Sequence, residues 1–133
     1  MSEPDDVVRE LLIAALDDWI YLAQMGSIVR DVLKIEGPWV SPETQHQIRE
    51  ATCAAIARML TSGLIRVGTL NGSRFVPWNL DAEKIVERIT SEWKELGQIS
   101  LGDICWAEIT MPGKEVGREL FSSVGSSLDD DEP

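Results

Sequence analysis

The stretch "ICWAEITMPGKEVGREL", residues 104–120, begins as a strand and ends as a helix. Ile104, Trp106 and Glu108 fall on one face of its first six residues, with Cys105, Ala107 and Ile109 on the other. That alternation has the period of two of a strand buried on one side. Thr110-Met111-Pro112-Gly113-Lys114 then breaks the pattern. Thr110 has the side chain of an N-cap and Pro112 suits a first helical turn, so a short helix is predicted over 112–121. A strand this late in the chain needs partners upstream.

The two nearest candidates lie in "LIRVGTLNGSRFVPW", where two β-rich runs flank Asn71-Gly72, the dipeptide most indicative of a hairpin. Before them, Ser41-Pro42-Glu43 combines an N-cap serine, proline at the first helical position and an acid in the first turn. A helix is predicted from there to about Ser62, stopped by Gly63, with Ile48, Thr52, Ala55, Ile56 and Met59 as its buried stripe. After the hairpin, Asp81 caps another helix over 81–96. Its Leu80 is placed to pack on Ile85 as a hydrophobic staple, and Ile85, Ile89, Trp93 and Leu96 continue the stripe to Gly97. This helix is expected to lie across the sheet formed by 64–70, 74–78 and 104–109.

Residues 7–34 leave two readings. Val8, Leu12, Ala15, Trp19, Leu22, Gly26, Val29 and Leu33 fit one long heptad helix. Two helices joined by an extended corner at "WIYL" (19–22) are preferred. Asp17 and Asp18 at a helix C-terminus would oppose the macrodipole, and Gly26 would weaken a long helix at its middle.

The order helix, corner, helix, turn, helix, hairpin resembles a winged helix-turn-helix domain. "ARMLTSGLIRVG" is similar to the end of such a domain's third helix passing into its first wing strand, and "WAEITMPGKEVGREL" to the strand that closes the wing. The resemblance covers roughly residues 7–120. It implies an α+β, winged-helix-like fold with a helical N-terminal part and a small antiparallel sheet. The extra helix over 81–96 is inserted before the last strand, where a typical wing has only a loop. The chain also resembles small bacterial proteins of no established activity that share F-x-P-W (Phe75 to Trp78) and G-D-I-C-W (Gly102 to Trp106).

Composition limits function. The 133 residues, 44% hydrophobic and 26% charged, suit one soluble domain over 1–121, followed by an acidic tail over 122–133 expected to be disordered. No apolar run is long enough to cross a membrane, and the acidic N-terminus is unlike a secretory signal, so a cytoplasmic protein is expected. Net charge is −11, and the two tails carry seven of the acids, leaving 16 acids against 12 bases between residues 7 and 121. Cys53 and Cys105 sit in apolar stretches and read as reduced core thiols.

His46 is the lone histidine, without an accompanying nucleophile and carboxylate. No nucleotide-binding loop or metal-ligand spacing is present. No catalytic residue, cofactor or metal is therefore expected. Trp19, Trp93 and Trp106 lie on patterned faces and read as core. Trp39 and Trp78 lie beside prolines, where a tryptophan either plugs the core or anchors a partner.

Two functional readings follow. In the first, the chain is a non-catalytic, acidic protein-binding module, like an immunity protein or antitoxin that neutralises a basic partner. Asp17, Asp18, Glu87, Glu92 and Glu95, with Trp39 or Trp78, would make the contact. In the alternative it is a DNA-binding regulator of winged-helix type. Thr44, Gln45, Gln47 and Arg49 would then read base edges, and Arg66 and Arg74 would hold the backbone. Neither reading sets an oligomeric state, since the last predicted helix is short for a dimer interface.

Overall fold

The computed structural model describes the backbone of residues 4–130 and the side chains of residues 6–122. The chain is α+β. In order it forms α1 (Pro4–Ala15), β1 (Ile20–Tyr21), α2 (Leu22–Leu33), α3 (Pro42–Thr61), β2 (Ile65–Asn71), β3 (Arg74–Pro77), α4 (Ala82–Leu96), β4 (Trp106–Ile109) and α5 (Met111–Asp130). The strands make one antiparallel sheet in the order β1-β4-β2-β3. This arrangement is consistent with a winged-helix-like order of elements.

The two-helix reading of the N-terminal part is correct. The "WIYL" corner is extended because it has a partner: Ile20 and Tyr21 pair with Ala107 and Trp106, and Leu22 N–H bonds to the Cys105 carbonyl. Those bonds offset the helical ones given up at the corner. Ser41 Oγ accepts from Thr44 N–H to start α3. The helix ends at Gly63, whose φ of 71° is left-handed and favours glycine. The hairpin loop is Gly72-Ser73, one position later than expected, so that Asn71 still pairs with Arg74 and the positive φ of 67° falls on glycine.

The strand of the opening stretch is shorter than its alternation suggests. Cys105 N–H bonds to the Asp103 carbonyl, and Ile104, at the centre of this three-residue turn, has φ of 70°. A β-branched residue is strained there, and β4 starts only at Trp106. The alternation is as expected, with Cys105, Ala107 and Ile109 buried. Trp106, read as core, is instead half-exposed beside Glu108 on the other face, and Trp19 is likewise half-exposed and outside the core. Thr110 caps α5 by accepting from Gly113 N–H and donating to the Gly63 carbonyl, which ties the helix start to the end of α3.

Three expectations are corrected. The inserted helix α4 packs along α3, not across the sheet. Ile85, Ile89 and Trp93 of its stripe are buried as expected, while Leu96 is 53% exposed. The three buried residues pack against α3, where Cys53 Sγ meets Thr90 Oγ1 and the Trp93 indole N–H donates to Gln45 Oε1 at 2.7 Å. Leu80 remains 42% exposed and forms no part of the core, so α4 is started by the Asp81 cap alone. Finally, α5 continues past residue 121 to Asp130. No proline lies between Gly113 and Glu132 to stop a helix already begun. The rest of the expected tail, residues 131–133, lies outside the described residues, as do the side chains from 123 onward.

Candidate functional site

Two recesses stand out among the described residues. The first is a cleft of about 550 Å³ where the bend after α1 faces the sheet and the start of α5. Asp17, Asp18 and Trp19 form one wall, Arg66 and Glu108 the floor, and Met111 and Lys114 the far rim. The floor follows from strand register: Arg66 and Glu108 are directly paired across β2 and β4 and share the outer face. The Arg66 guanidinium donates to Glu108 Oε1 through Nε at 3.1 Å and through Nη2. The Trp19 indole N–H donates to Glu108 Oε2 at 3.0 Å. Phe75, on β3, lies under both: its ring stacks on Trp19 at 6.1 Å and sits 5.6 Å from the Arg66 guanidinium carbon.

These contacts set the charge of the cleft. Partial burial alone would raise the Glu108 pKa. The hydrogen bonds from Arg66 and Trp19, with the charges of Arg66 and Lys114, outweigh it and hold the carboxyl below its ordinary value. Glu108 is thus an anion whose oxygens are already engaged. Asp17 and Asp18 are exposed. Asp18 Oδ1 accepts the Trp19 backbone N–H at 2.7 Å, and neither residue has an ion-pair partner among the described residues. The cleft therefore joins two exposed carboxylates, without ion-pair partners among the described residues, to an aromatic wall bonded to Glu108.

The second recess is a groove of about 650 Å³ between α3 and α4, walled in part by Glu83, Glu87 and Lys94.

The residues singled out in the sequence are scattered over these features. Asp17 and Asp18 line the cleft and Glu87 the groove. Glu92 is paired with Arg88 at 2.7 Å, and Glu95 is exposed elsewhere on α4. Neither loop tryptophan is a free anchor. Trp39 donates to the Ile99 carbonyl and packs at Gly26, plugging the core. Trp78 donates to Thr69 Oγ1 and is covered by Arg88, whose guanidinium carbon lies 3.8 Å from the ring centroid.

The base-reading face expected on α3 is turned inward. Thr44, Gln45 and Arg49 are 3%, 1% and 8% exposed. Gln45 bridges Trp93 and the Trp39 carbonyl, while Arg49 Nη2 contacts His46 Nδ1 at 2.9 Å. Of the remaining residues in that set, Arg66 is committed to Glu108, and Gln47 and Arg74 are exposed. Inward packing also leaves Arg49 Nε and Thr52 Oγ1 without hydrogen-bond partners among the described residues.

Sequence reasoning missed Trp19, Glu108 and Lys114 as members of one site. The available signal was Glu108 itself, an acid in mid-strand on the face that alternation turns outward. Among the described residues no group of three or more His, Cys, Asp or Glu side chains is placed to hold a metal ion, and no helix is long and apolar enough to cross a membrane. Comparison with known proteins gives no lead: no family model matches the chain, and neither a curated protein nor a solved structure is significantly similar to it.

Proposed function

We propose that the chain is a non-catalytic protein-binding module that receives a basic partner in the cleft beside Trp19, in the manner of an immunity protein or antitoxin. The observation that carries this reading is the pair of exposed, unpaired carboxylates, Asp17 and Asp18, beside an aromatic wall fixed by Glu108. A lysine or arginine entering there meets unneutralised charge, and the Trp19 ring adds the attraction of an aromatic face for a cation. The net charge of −11 favours fast encounter with a basic protein through electrostatic steering. The proposal sets this action in the cytoplasm, and the buried, unpaired Cys53 and Cys105 suit a reducing compartment.

The test is affinity capture from the source organism with quantitative mass spectrometry, run in parallel with wild type and an Asp17→Lys/Asp18→Lys variant. A basic protein retained by wild type and lost by the variant is the expected result. Equal recovery by both, or no enrichment over an acidic control protein of equal size, would remove the reading.

A further inference from the structure

We infer that the groove between α3 and α4 is a second interaction surface, shaped for a basic amphipathic helix of a partner protein. The inference is independent of the cleft. It begins with the packing of the two helices, which run antiparallel: Gln45 meets Trp93 near one end and Cys53 meets Thr90 further along. Their outward sides leave the furrow of about 650 Å³.

Ala57 and Ala82, with the half-buried Val86 and Thr90, line it with short side chains. Short residues let a third helix approach to the 8–10 Å at which helices pack. The stretch of α4 along the groove, Ala82 to Lys94, spans roughly 18 Å, about three helical turns. Such a length matches helix-in-groove recognition, in which anchors recur at i, i+3 or i+4, and i+7.

Charge decides which helix fits. Glu83 and Glu87 stand one turn apart on the same side of α4, exposed and without an ion-pair partner among the described residues. Like charges at this spacing repel, and cations on an incoming helix relieve that repulsion. Lys94 marks the other end of the groove. The occupant therefore has an apolar stripe, two basic residues one turn apart near one end, and an acid or neutral residue near the other. A second copy of this chain is a poor fit, because at a net charge of −11 it would bring mainly like charge.

The experiment titrates the full chain against a fluorescently labelled amphipathic helical peptide of leucine, alanine and lysine, with a glutamate-for-lysine peptide as control, followed by anisotropy. The lysine peptide should bind, weaken with added salt, and outcompete the control. Glu83→Lys/Glu87→Lys should weaken it by about tenfold or more, and Ala57→Trp, which fills the groove, should abolish binding. Asp17→Lys/Asp18→Lys should leave this affinity unchanged, so failure here and failure of the cleft reading are separable. If Ala57→Trp does not fold by circular dichroism, the exposed glutamate variant decides alone. Absence of binding by the lysine peptide, equal binding of both peptides, or unchanged affinity in the glutamate variant would overturn the inference.

Discussion

Replacing Trp93 by Phe should destabilise the protein by about 2–4 kcal/mol, and the structure shows where the cost arises. Trp93 is fully buried, and its indole N–H donates to Gln45 Oε1 at 2.7 Å. Gln45 is 1% exposed and passes the chain on, its amide donating to the Trp39 carbonyl at 2.7 Å. Phenylalanine fills most of the same space but has no N–H. Gln45 Oε1 would be left buried without a donor, at about 1–3 kcal/mol. The smaller ring adds about 1 kcal/mol, for roughly 40 Å³ at ~24 cal/mol per Å³ of residual cavity.

Gln45→Met keeps the approximate shape and strands the other side of the same bond, so its cost should be comparable. The double variant lacks both partners and should cost less than the sum, with a coupling of about 1–2 kcal/mol. Urea denaturation followed by far-UV circular dichroism measures all four proteins without relying on the altered fluorophore. A Trp93→Phe cost below about 0.5 kcal/mol, or strictly additive costs, would show that the buried bond is not what fixes α4 on α3.

Two other outcomes follow from the geometry. Because the folded-state pKa of Glu108 is depressed, its ion pair contributes stability that is fully present above the ordinary carboxylate value of about 4.5. That contribution is lost as pH falls through the depressed folded-state value. Stability measured across the acid range should therefore fall less for Glu108→Gln than for wild type; parallel profiles would refute the assignment. Gly113→Ala should destabilise by at least about 1–3 kcal/mol, the usual cost of overpacking. A Cβ there would overlap the Leu64 carbonyl oxygen and lie 2.8 Å from Ile109 Cγ1, so the start of α5 would have to move off Leu64 and the end of β4. An unchanged denaturation midpoint would contradict that close approach.

Much of the fold was legible because local signals agreed with one another. Ser41 and Asp81 caps, the glycines at 63 and 97, and the alternation in 104–109 each state a boundary or a face in a few residues. Packing partners were less legible. The stripe Ile85, Ile89, Trp93 announces that α4 is buried on one side, but periodicity carries no information on what lies opposite. The cue lay in α3, where Ala51, Ala54, Ala55 and Ala57 distribute small residues around the helix. A helix with small side chains on several sides can be packed on more than one of them. The site was harder still. Trp19, Arg66, Glu108 and Lys114 come from a bend, two strands and a helix, and only strand register brings the middle two together.

The inserted helix is the link between this packing and the functional reading. Trp93 of α4 holds Gln45 in the core, while Thr44 donates to the Glu36 carbonyl and Arg49 contacts His46, so that all three are structural residues. A helix whose polar side chains are spent on internal bonds has little left for base edges, which need several unoccupied donors and acceptors on one exposed face. The same insertion creates new surface: α4 brings Glu83 and Glu87 to the outside and forms the groove with α3. At one edge of the sheet, β1 pairs with β4 and holds the Asp17–Trp19 bend near Glu108. The cleft thus sets carboxylate beside aromatic, and the groove sets carboxylate beside short side chains. Under the proposed reading each would receive a cation borne on a protein partner, through steering by the acidic surface.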